Sequence, residues 1–289
     1  CSSDLVLVTG GVSGLGAIIA RHLAGQGVRH LTLTSRRGRA AAGVEELIAD
    51  LAALGATADV VACDVTDPAA VADVIAGCSP AVGGVVHCAA EVASGVITDL
   101  DAAAIDRAVG AKAIGAWNLH CATAELDLTR FVVVSSAGAI VLAEGQANYA
   151  AANAFLDGLA HHRRHRGLPA TAVAFPLWNV VTGLGGDLTD ADLVRMARLA
   201  LPAISAERGL ELFDAALATG PAYLAALKVD AGALSRRTEV PALLRRWVRA
   251  KRPSVPTAAA GDGDALAEAL AGMTAAAAER HVLALVAEH

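Results

Sequence analysis

A serine, a tyrosine and a lysine stand in this chain where they could act on a carbonyl group. Ser136, in Ser135-Ser136-Ala137-Gly138, is followed thirteen residues later by Tyr149, in Tyr149-Ala150-Ala151-Ala152-Asn153. Phe131 to Ser135 is a short apolar, β-branched run of the kind that makes a buried parallel strand, and Ala150 to Arg166 is alanine-rich and helix-favouring. A hydroxyl at a strand's C-terminal end and a phenol opening the next helix lie on the sheet edge where α/β proteins bind ligands. Both could donate to one carbonyl oxygen. The same two residues also suit a capped turn and a packing tyrosine, so the pair alone leaves both readings open. Lys112 lies within Val109 to Trp117 and has apolar or small neighbours on both sides, unlike a lysine kept for solubility. An ammonium held beside a phenol favours proton release from it, whereas the plainer alternative is a lysine snorkelling from a packed helix.

The elements that would position these groups alternate along the chain. Leu5 to Thr9 reads as a strand, Gly10-Gly11-Val12-Ser13-Gly14-Leu15-Gly16 as a glycine turn, and Ala17 to Gln26 as a helix. Gly10 permits the tight turn, Gly14 lets a pyrophosphate approach the backbone, and Gly16 lets the helix pack closely. Thr9, Gly10, Gly11, Ser13, Gly14, Leu15 and Gly16 are therefore candidate dinucleotide contacts. The second strand, His30 to Ser35, ends in Ser35-Arg36-Arg37-Gly38 rather than in the acid that would hold a ribose 2′-hydroxyl. An arginine there suits a 2′-phosphate, which favours NADPH over NADH, with Arg36 the first choice, Arg37 the alternate and a solvated basic turn the remaining reading.

A helix over Gly43 to Leu54 and a strand over Ala58 to Cys63 lead to Asp64-Val65, where the Asp64 carboxylate could accept from an adenine amino group. Asp67-Pro68 opens the next helix as N-cap and first-turn proline. Gly84 to Cys88 is the fourth strand, and the small residues Cys88, Ala89 and Ala90 leave room for a nicotinamide ribose; His87 reads as an interior, hydrogen-bonded histidine. Leu100 to Leu126 is predicted helical, Thr171 to Phe175 is the sixth strand with Pro176 after it, and Val180 to Ser205 is a glycine-hinged excursion suited to a substrate lid. A helix over Ser205 to Ala218 and a strand over Ala222 to Leu227 complete the pattern. These units predict a doubly wound, Rossmann-like parallel sheet of about seven strands, order 3-2-1-4-5-6-7, with helices on both faces. The expected organisation is a cofactor-binding domain over 1–230, a post-domain segment and linker over 231–264, and an amphipathic tail over 265–289.

The 289 residues are 55% hydrophobic, ample for a large core. The mean hydropathy of +0.51 comes from dispersed alanine and valine, broken well short of the roughly 18 consecutive apolar residues of a membrane span. Cys1-Ser2-Ser3-Asp4 lacks a signal peptide's basic start, and a net charge of −6 argues against a nucleic-acid surface. Five cysteines without CxxC spacing point to neither a disulfide framework nor a zinc site, so a cytoplasmic setting is expected, with no metal.

Over residues 5 to about 228 the sequence resembles the short-chain dehydrogenase/reductase family. Thr9 to Gly16, Ser35 to Gly38, Lys112, Ser136 and above all Asn148-Tyr-Ala-Ala-Ala-Asn-Ala-Phe-Leu-Asp157 resemble the ketoreductase domain of modular type I polyketide synthases. Most short-chain reductases carry lysine four residues after the tyrosine; here Asn153 holds that place, and the resemblance implies that Lys112 substitutes. It further implies that Tyr149 protonates the nascent alkoxide, that Ser136 (or Ser135, one register back) bonds the same oxygen, that Lys112 assists the phenol and holds the nicotinamide ribose, and that Asn153 orders the lysine or a relay water. The implied reaction is NADPH-dependent reduction of a 3-ketoacyl thioester on an acyl carrier protein, among other synthase domains that include a preceding structural subdomain. The chain would then be cut from something longer, its tail leading toward a carrier domain.

Three segments depart from the family. Val92-Ala93-Ser94 replaces the Leu-Asp-Asp of one stereochemical class, which points by elimination to the opposite class, although Val141 stands where that class often has tryptophan. Phe175-Pro176 replaces the usual Trp-Gly, altering the expected substrate wall. The competing readings are a free-standing reductase of small ketones or sugars and a domain that holds cofactor or epimerises without reducing.

Overall fold

The computed structural model of the chain describes residues 4–93, 95–141, 145–180, 202–236, 240, 242–248 and 269–287. It divides into two units, Cys1–Arg245 and Arg246–His289.

In the first unit the strands are β1 (Leu5–Thr9), β2 (His30–Ser35), β3 (Thr57–Ala62), β4 (Val82–His87), β5 (Arg130–Ser136), β6 (Thr171–Phe175) and β7 (Tyr223–Ala225). They form one sheet in the order β3-β2-β1-β4-β5-β6-β7, every pairing parallel, as the alternating units predict. Every residue of β1 and β4 is buried, because a central parallel strand is covered on both faces. One face is covered by α1 (Gly14–Gly25), α2 (Val44–Ala53) and α8 (Ala206–Thr219), whose Ile19, Leu23, Leu47, Leu51 and Phe213 enter one core. The other is covered by α3 (Pro68–Gly77), α5 (Gly115–Ala122) and α7 (Ala147–His165), through Val71, Leu119, Leu156 and Leu159. Strand order reverses between β1 and β4, and the crevice at their C-terminal ends is where such sheets receive ligands.

Helix boundaries follow local chemistry. Asp67 caps α3, accepting from the Ala69 and Ala70 N–H groups at 2.9 and 3.4 Å, with Pro68 in the first turn. Ser205 caps α8 by accepting from the Arg208 N–H. The helix expected over Leu100 to Leu126 is three pieces: α4 (Ala102–Val109), a π-helical turn over Gly110–Ile114, and α5. Thr123 then leaves the helical conformation at the C-cap. The short α6 (Gly138–Val141) follows β5.

The excursion expected to form a lid lies outside the described residues over 181–201. Its two feet are joined, with Asn179 N–H donating to the Ile204 carbonyl at 2.7 Å and Ile204 N–H to the Leu177 carbonyl at 2.9 Å. Beyond β7, α9 (Ala231–Ser235) buries Leu234, and Leu244 is buried as well. In the second unit, the end of the segment and linker expected over 231–264 lies outside the described residues from 249 on, and α10 (Ala275–Ala287) begins only after a turn in which the Gly272 and Met273 N–H groups donate to the Leu270 carbonyl.

Candidate active site

The glycine turn after β1 is shaped by contacts that only glycine permits. Gly10 has φ of +64°, and a Cβ there would stand 2.8 Å from the Ala89 nitrogen, so the ends of β1 and β4 can meet only without a side chain. A Cβ on Gly16 would collide with the Gly10 carbonyl, so this glycine lets α1 fold back onto the turn itself rather than merely approach the sheet. Ser13 stands at the N-cap of α1 without a side-chain cap, and no acidic residue occupies the first turn. Thr9 is turned away from this cradle: its hydroxyl pairs with His87 Nδ1 at 2.7 Å.

At the end of β2, Arg36 pairs with Glu91 at 3.2 Å, and Asp64 faces the same guanidinium. Hydrogen bonds from the Thr66 N–H and hydroxyl, with Arg36 adding to them, hold the Asp64 carboxyl below the usual carboxylate range, so it is a charged acceptor. Arg37 is exposed, while Ser35 Oγ is buried and makes no hydrogen bond. The Val65 side chain is in the core and its carbonyl accepts from Asn118, which leaves its backbone N–H as the group for a ligand contact. Cys88 is a neutral thiol, pushed up to about 12 by burial, and Pro176 is buried directly after β6.

Lys112 is 3% exposed, and it lies in the π-helical turn, which redirects its side chain inward. Its ammonium donates to the Val134 carbonyl at 2.9 Å, two residues before Ser136, and sits 5.1 Å from the centre of the Tyr149 ring. Three separate segments thus meet at the C-terminal end of β5. Close packing brings the lysine's helix there: a Cβ on Gly115 would be 2.7 Å from Val65 Cγ2 and 3.2 Å from the His87 ring. His87 donates from Nε2 to the Lys112 carbonyl at 3.0 Å, with Nδ1 accepting from Thr9. Burial, then the Lys112 charge, pushes its pKa down to about 4, so it is the neutral interior histidine expected from sequence.

Tyr149 is the third residue of α7. Ser136 Oγ accepts from the Gly138 N–H at 3.1 Å, which leaves the hydroxyl hydrogen available to another oxygen. Ser135 is not an equivalent choice, because it shares the face of Phe131 and Val133, under α7, and is 3% exposed. Asn153 is fully buried; its amide donates to the Tyr149 carbonyl at 2.7 Å, and its Oδ1 has no partner.

Sequence reasoning assigned no role to Asn148, which the structure makes the anchor of this corner. Its amide donates to the Ala93 and Ala104 carbonyls, both at 2.9 Å, and its oxygen accepts from the Tyr149 N–H. One side chain so ties the loop after β4, helix α4 and the first turn of α7. An asparagine directly before a candidate tyrosine was the available signal. Val92 and Ala93 stand in that loop, and Ser94 lies outside the described residues. Among the described residues no three His, Cys, Asp or Glu side chains gather as metal ligands, and no helix is long and apolar enough to cross a membrane.

A family model described as the KR domain matches residues 5–180. The chain belongs to the ketoreductase domain family. This ketoreductase domain is 44% identical over 296 residues to polyketide synthase GfsA of Streptomyces halstedii, covering 98% of this chain and 4% of that protein. It is 45% identical over 280 residues to the phenolphthiocerol synthesis polyketide synthase Pks15/1 of Mycobacterium bovis, covering 93% and 13%. Among solved structures, A-type ketoreductases from a modular polyketide synthase superpose with a TM-score of 0.76 at 38% identity, covering 80% of this chain and 49% of that one. A C2-type ketoreductase from a modular polyketide synthase superposes at 0.70 with 37% identity, covering 80% and 50%. The chain therefore spans a small part of these curated relatives and about half of the solved chains. Ketoreductase domains of this fold are oxidoreductases that depend on a nicotinamide cofactor, and the curated relatives that contain such a stretch are named as polyketide synthases.

Proposed function

We propose that the domain reduces a 3-ketoacyl thioester, carried on an acyl carrier protein, to the 3-hydroxyacyl thioester with NADPH. The observation that carries this reading is the Lys112 ammonium 5.1 Å from the Tyr149 ring, fixed by β5 two residues before Ser136. The residues suit the cofactor. The Gly10–Gly16 cradle leaves backbone N–H groups for a diphosphate, and the exposed Arg36 guanidinium suits a 2′-phosphate. The Asp64 carboxylate suits an adenine amino group.

NADPH, when bound, supplies the hydride. Tyr149 donates its proton to the oxygen that becomes negative, while the free hydrogen of Ser136 bonds the same oxygen, so two preplaced donors meet the charge as it develops. Lys112 stabilises the phenolate left behind, and its hydrogen bond to Val134 fixes its direction. Asn148 holds the backbone of Tyr149, and Asn153 braces the first turn of α7.

The test is incubation with NADPH and a 2-methyl-3-ketoacyl thioester, followed by chiral analysis of the product. Loss of absorbance at the reduced-nicotinamide band together with a 3-hydroxyacyl product is the expected result. A second reading, a domain that holds cofactor or epimerises without reducing, draws on Phe175-Pro176 at the substrate wall and on Glu91 engaging Arg36. An unchanging absorbance with measurable NADPH binding would favour it.

A further inference from the structure

Helix α7 carries polar residues at every fourth position from its first turn to just before its last: Tyr149, Asn153, Asp157 and His161. Residues four apart lie on one ridge of a helix, each over the turn before it. The spacing alone would mean little on a solvated helix, but here the middle of the ridge is inside the protein. Asn153 is fully buried and Asp157 is half-buried, while His161 is exposed. The ridge thus starts at the candidate phenol, passes under cover and ends in water.

The sheet beneath the covered part presents small and polar residues. Ser135 pairs in register with Ala174, and Tyr223 pairs with Ala172, so on this face the β6 residues lying between Ser135 and Tyr223 are alanines. Four buried polar atoms in this region have no hydrogen-bond partner: Ser135 Oγ, Asn153 Oδ1, Asp157 Oδ1 and Tyr223 Oη. An unpaired buried polar atom costs about 1–3 kcal/mol, so four in one region call for bridging water or a functional reason. The groups sense one another electrically. Burial pushes the Asp157 carboxyl above the ordinary range, opposed by Ser135, Lys112 and His161, and burial followed by the Asp157 charge pushes the Tyr223 phenol up to about 12. Ser135 thus lies close enough to favour the Asp157 carboxylate, although neither Ser135 Oγ nor Asp157 Oδ1 completes a hydrogen bond.

We propose that the ridge Tyr149–Asn153–Asp157–His161 is the route by which protons return from solvent to the catalytic phenol, with Asp157 the buried relay residue. The inference rests on the reductase reading above. Each reduction moves one proton from Tyr149 to the new alkoxide and leaves a phenolate. For each product hydroxyl formed, one proton enters from bulk water at His161, passes to the Asp157 carboxyl, and crosses by water bridging the unpaired oxygens of Ser135 and Tyr223 to Lys112. The lysine then restores the phenol. No electron moves along this path, and Asp157 and Lys112 end each cycle as they began.

The experiment compares the first turnover with later ones, since the first uses the proton already on Tyr149. In Asp157→Asn, stopped-flow NADPH oxidation is expected to keep its first-turnover rate within twofold while steady-state kcat falls at least tenfold. The solvent deuterium isotope effect on kcat should grow, and imidazole or formate should restore part of the rate. His161→Gln, an exposed change that does not threaten folding, should slow kcat several-fold above pH 7 and also respond to imidazole. Without cofactor, the infrared carboxyl band that disappears in Asp157→Asn should shift in Lys112→Met. Steady-state rates within twofold of the unaltered protein in both variants, a parallel fall of first and later turnovers without rescue, or an unmoved carboxyl band would each overturn the relay. If the unaltered protein never oxidises NADPH with a ketoacyl thioester, the reductase reading fails and the relay with it. Normal turnover with an indifferent Asp157 sinks the relay alone.

Discussion

Lys112 shows how much a single position depends on surroundings that its neighbours in sequence only hint at. Its apolar flanks marked it as unusual, but the hydrogen bond to Val134 and the approach to Tyr149 arise from chain segments 22 and 37 residues away. Tyr149→Phe is expected to lower the rate of ketone reduction by about a hundredfold or more, the usual cost of one preplaced donor, while NADPH binding measured by fluorescence is retained. Equal loss of binding would mean that the phenol holds cofactor rather than donating a proton. Arg36 was read from the sequence as a candidate phosphate contact, but its protein partner was not legible, because Glu91 is 55 residues away and follows a different strand. Arg36 in this pair is 72% exposed and Glu91 31%, so the pair is worth roughly 0.2–1 kcal/mol, and under the proposed NADPH binding a 2′-phosphate would compete with it for the guanidinium. Glu91→Gln is therefore expected to tighten NADPH binding up to about fivefold and leave NADH binding unchanged, a difference that shrinks as salt is added. Tighter binding of both cofactors alike would show that the carboxylate does not act on the 2′-phosphate.

Between residue and fold, the helix pieces preceding β5 decide whether the lysine arrives. The alternation of apolar runs and helix-favouring stretches carried the sheet order and nearly every strand, since buried parallel strands must be continuously apolar and the glycine turn must follow the first. The π-helical turn over Gly110–Ile114 was not legible, because it is set by what the helix meets: Gly115 lies against Val65 and His87, and Gly110 against Thr66. The two glycines flanking Lys112 were the signal in the sequence. Gly115→Ala places a Cβ 2.7 Å from Val65 Cγ2, and the overpacking is expected to cost about 1–3 kcal/mol in denaturant unfolding and to lower kcat by displacing Lys112. Combining it with Val65→Ala makes room, so the double variant should regain activity beyond the sum of the two single effects. Additive losses would place the glycine's role elsewhere than at this contact.

Across the whole molecule, the polar groups buried behind the site tie its stability to pH. His87 is enclosed between Thr9 and the Lys112 carbonyl, and its folded-state value of about 4 lies below the ordinary 6.5. A histidine depressed in this way contributes stability that is complete above 6.5 and is lost as pH falls toward 4, because the unfolded chain binds the proton first. A depression of more than two units corresponds to about 3 kcal/mol for so enclosed a ring. His120, also held near 4 by burial and then by Arg163, acts in the same direction. Asp157 opposes them: its raised carboxyl favours the fold at low pH and weakens it as pH rises through its own titration, but one carboxyl faces two histidines. The melting temperature is therefore expected to hold from pH 8 to about 6.5 and then fall by several degrees toward pH 4, before the Asp64 carboxylate, held below the usual range, is titrated. His87→Asn should melt lower at pH 8, where it loses the tie between β1, β4 and the π-helical turn, and should show a shallower decline on acidification. A variant whose decline matches that of the unaltered chain would show that the enclosed histidine is not what links the fold to pH.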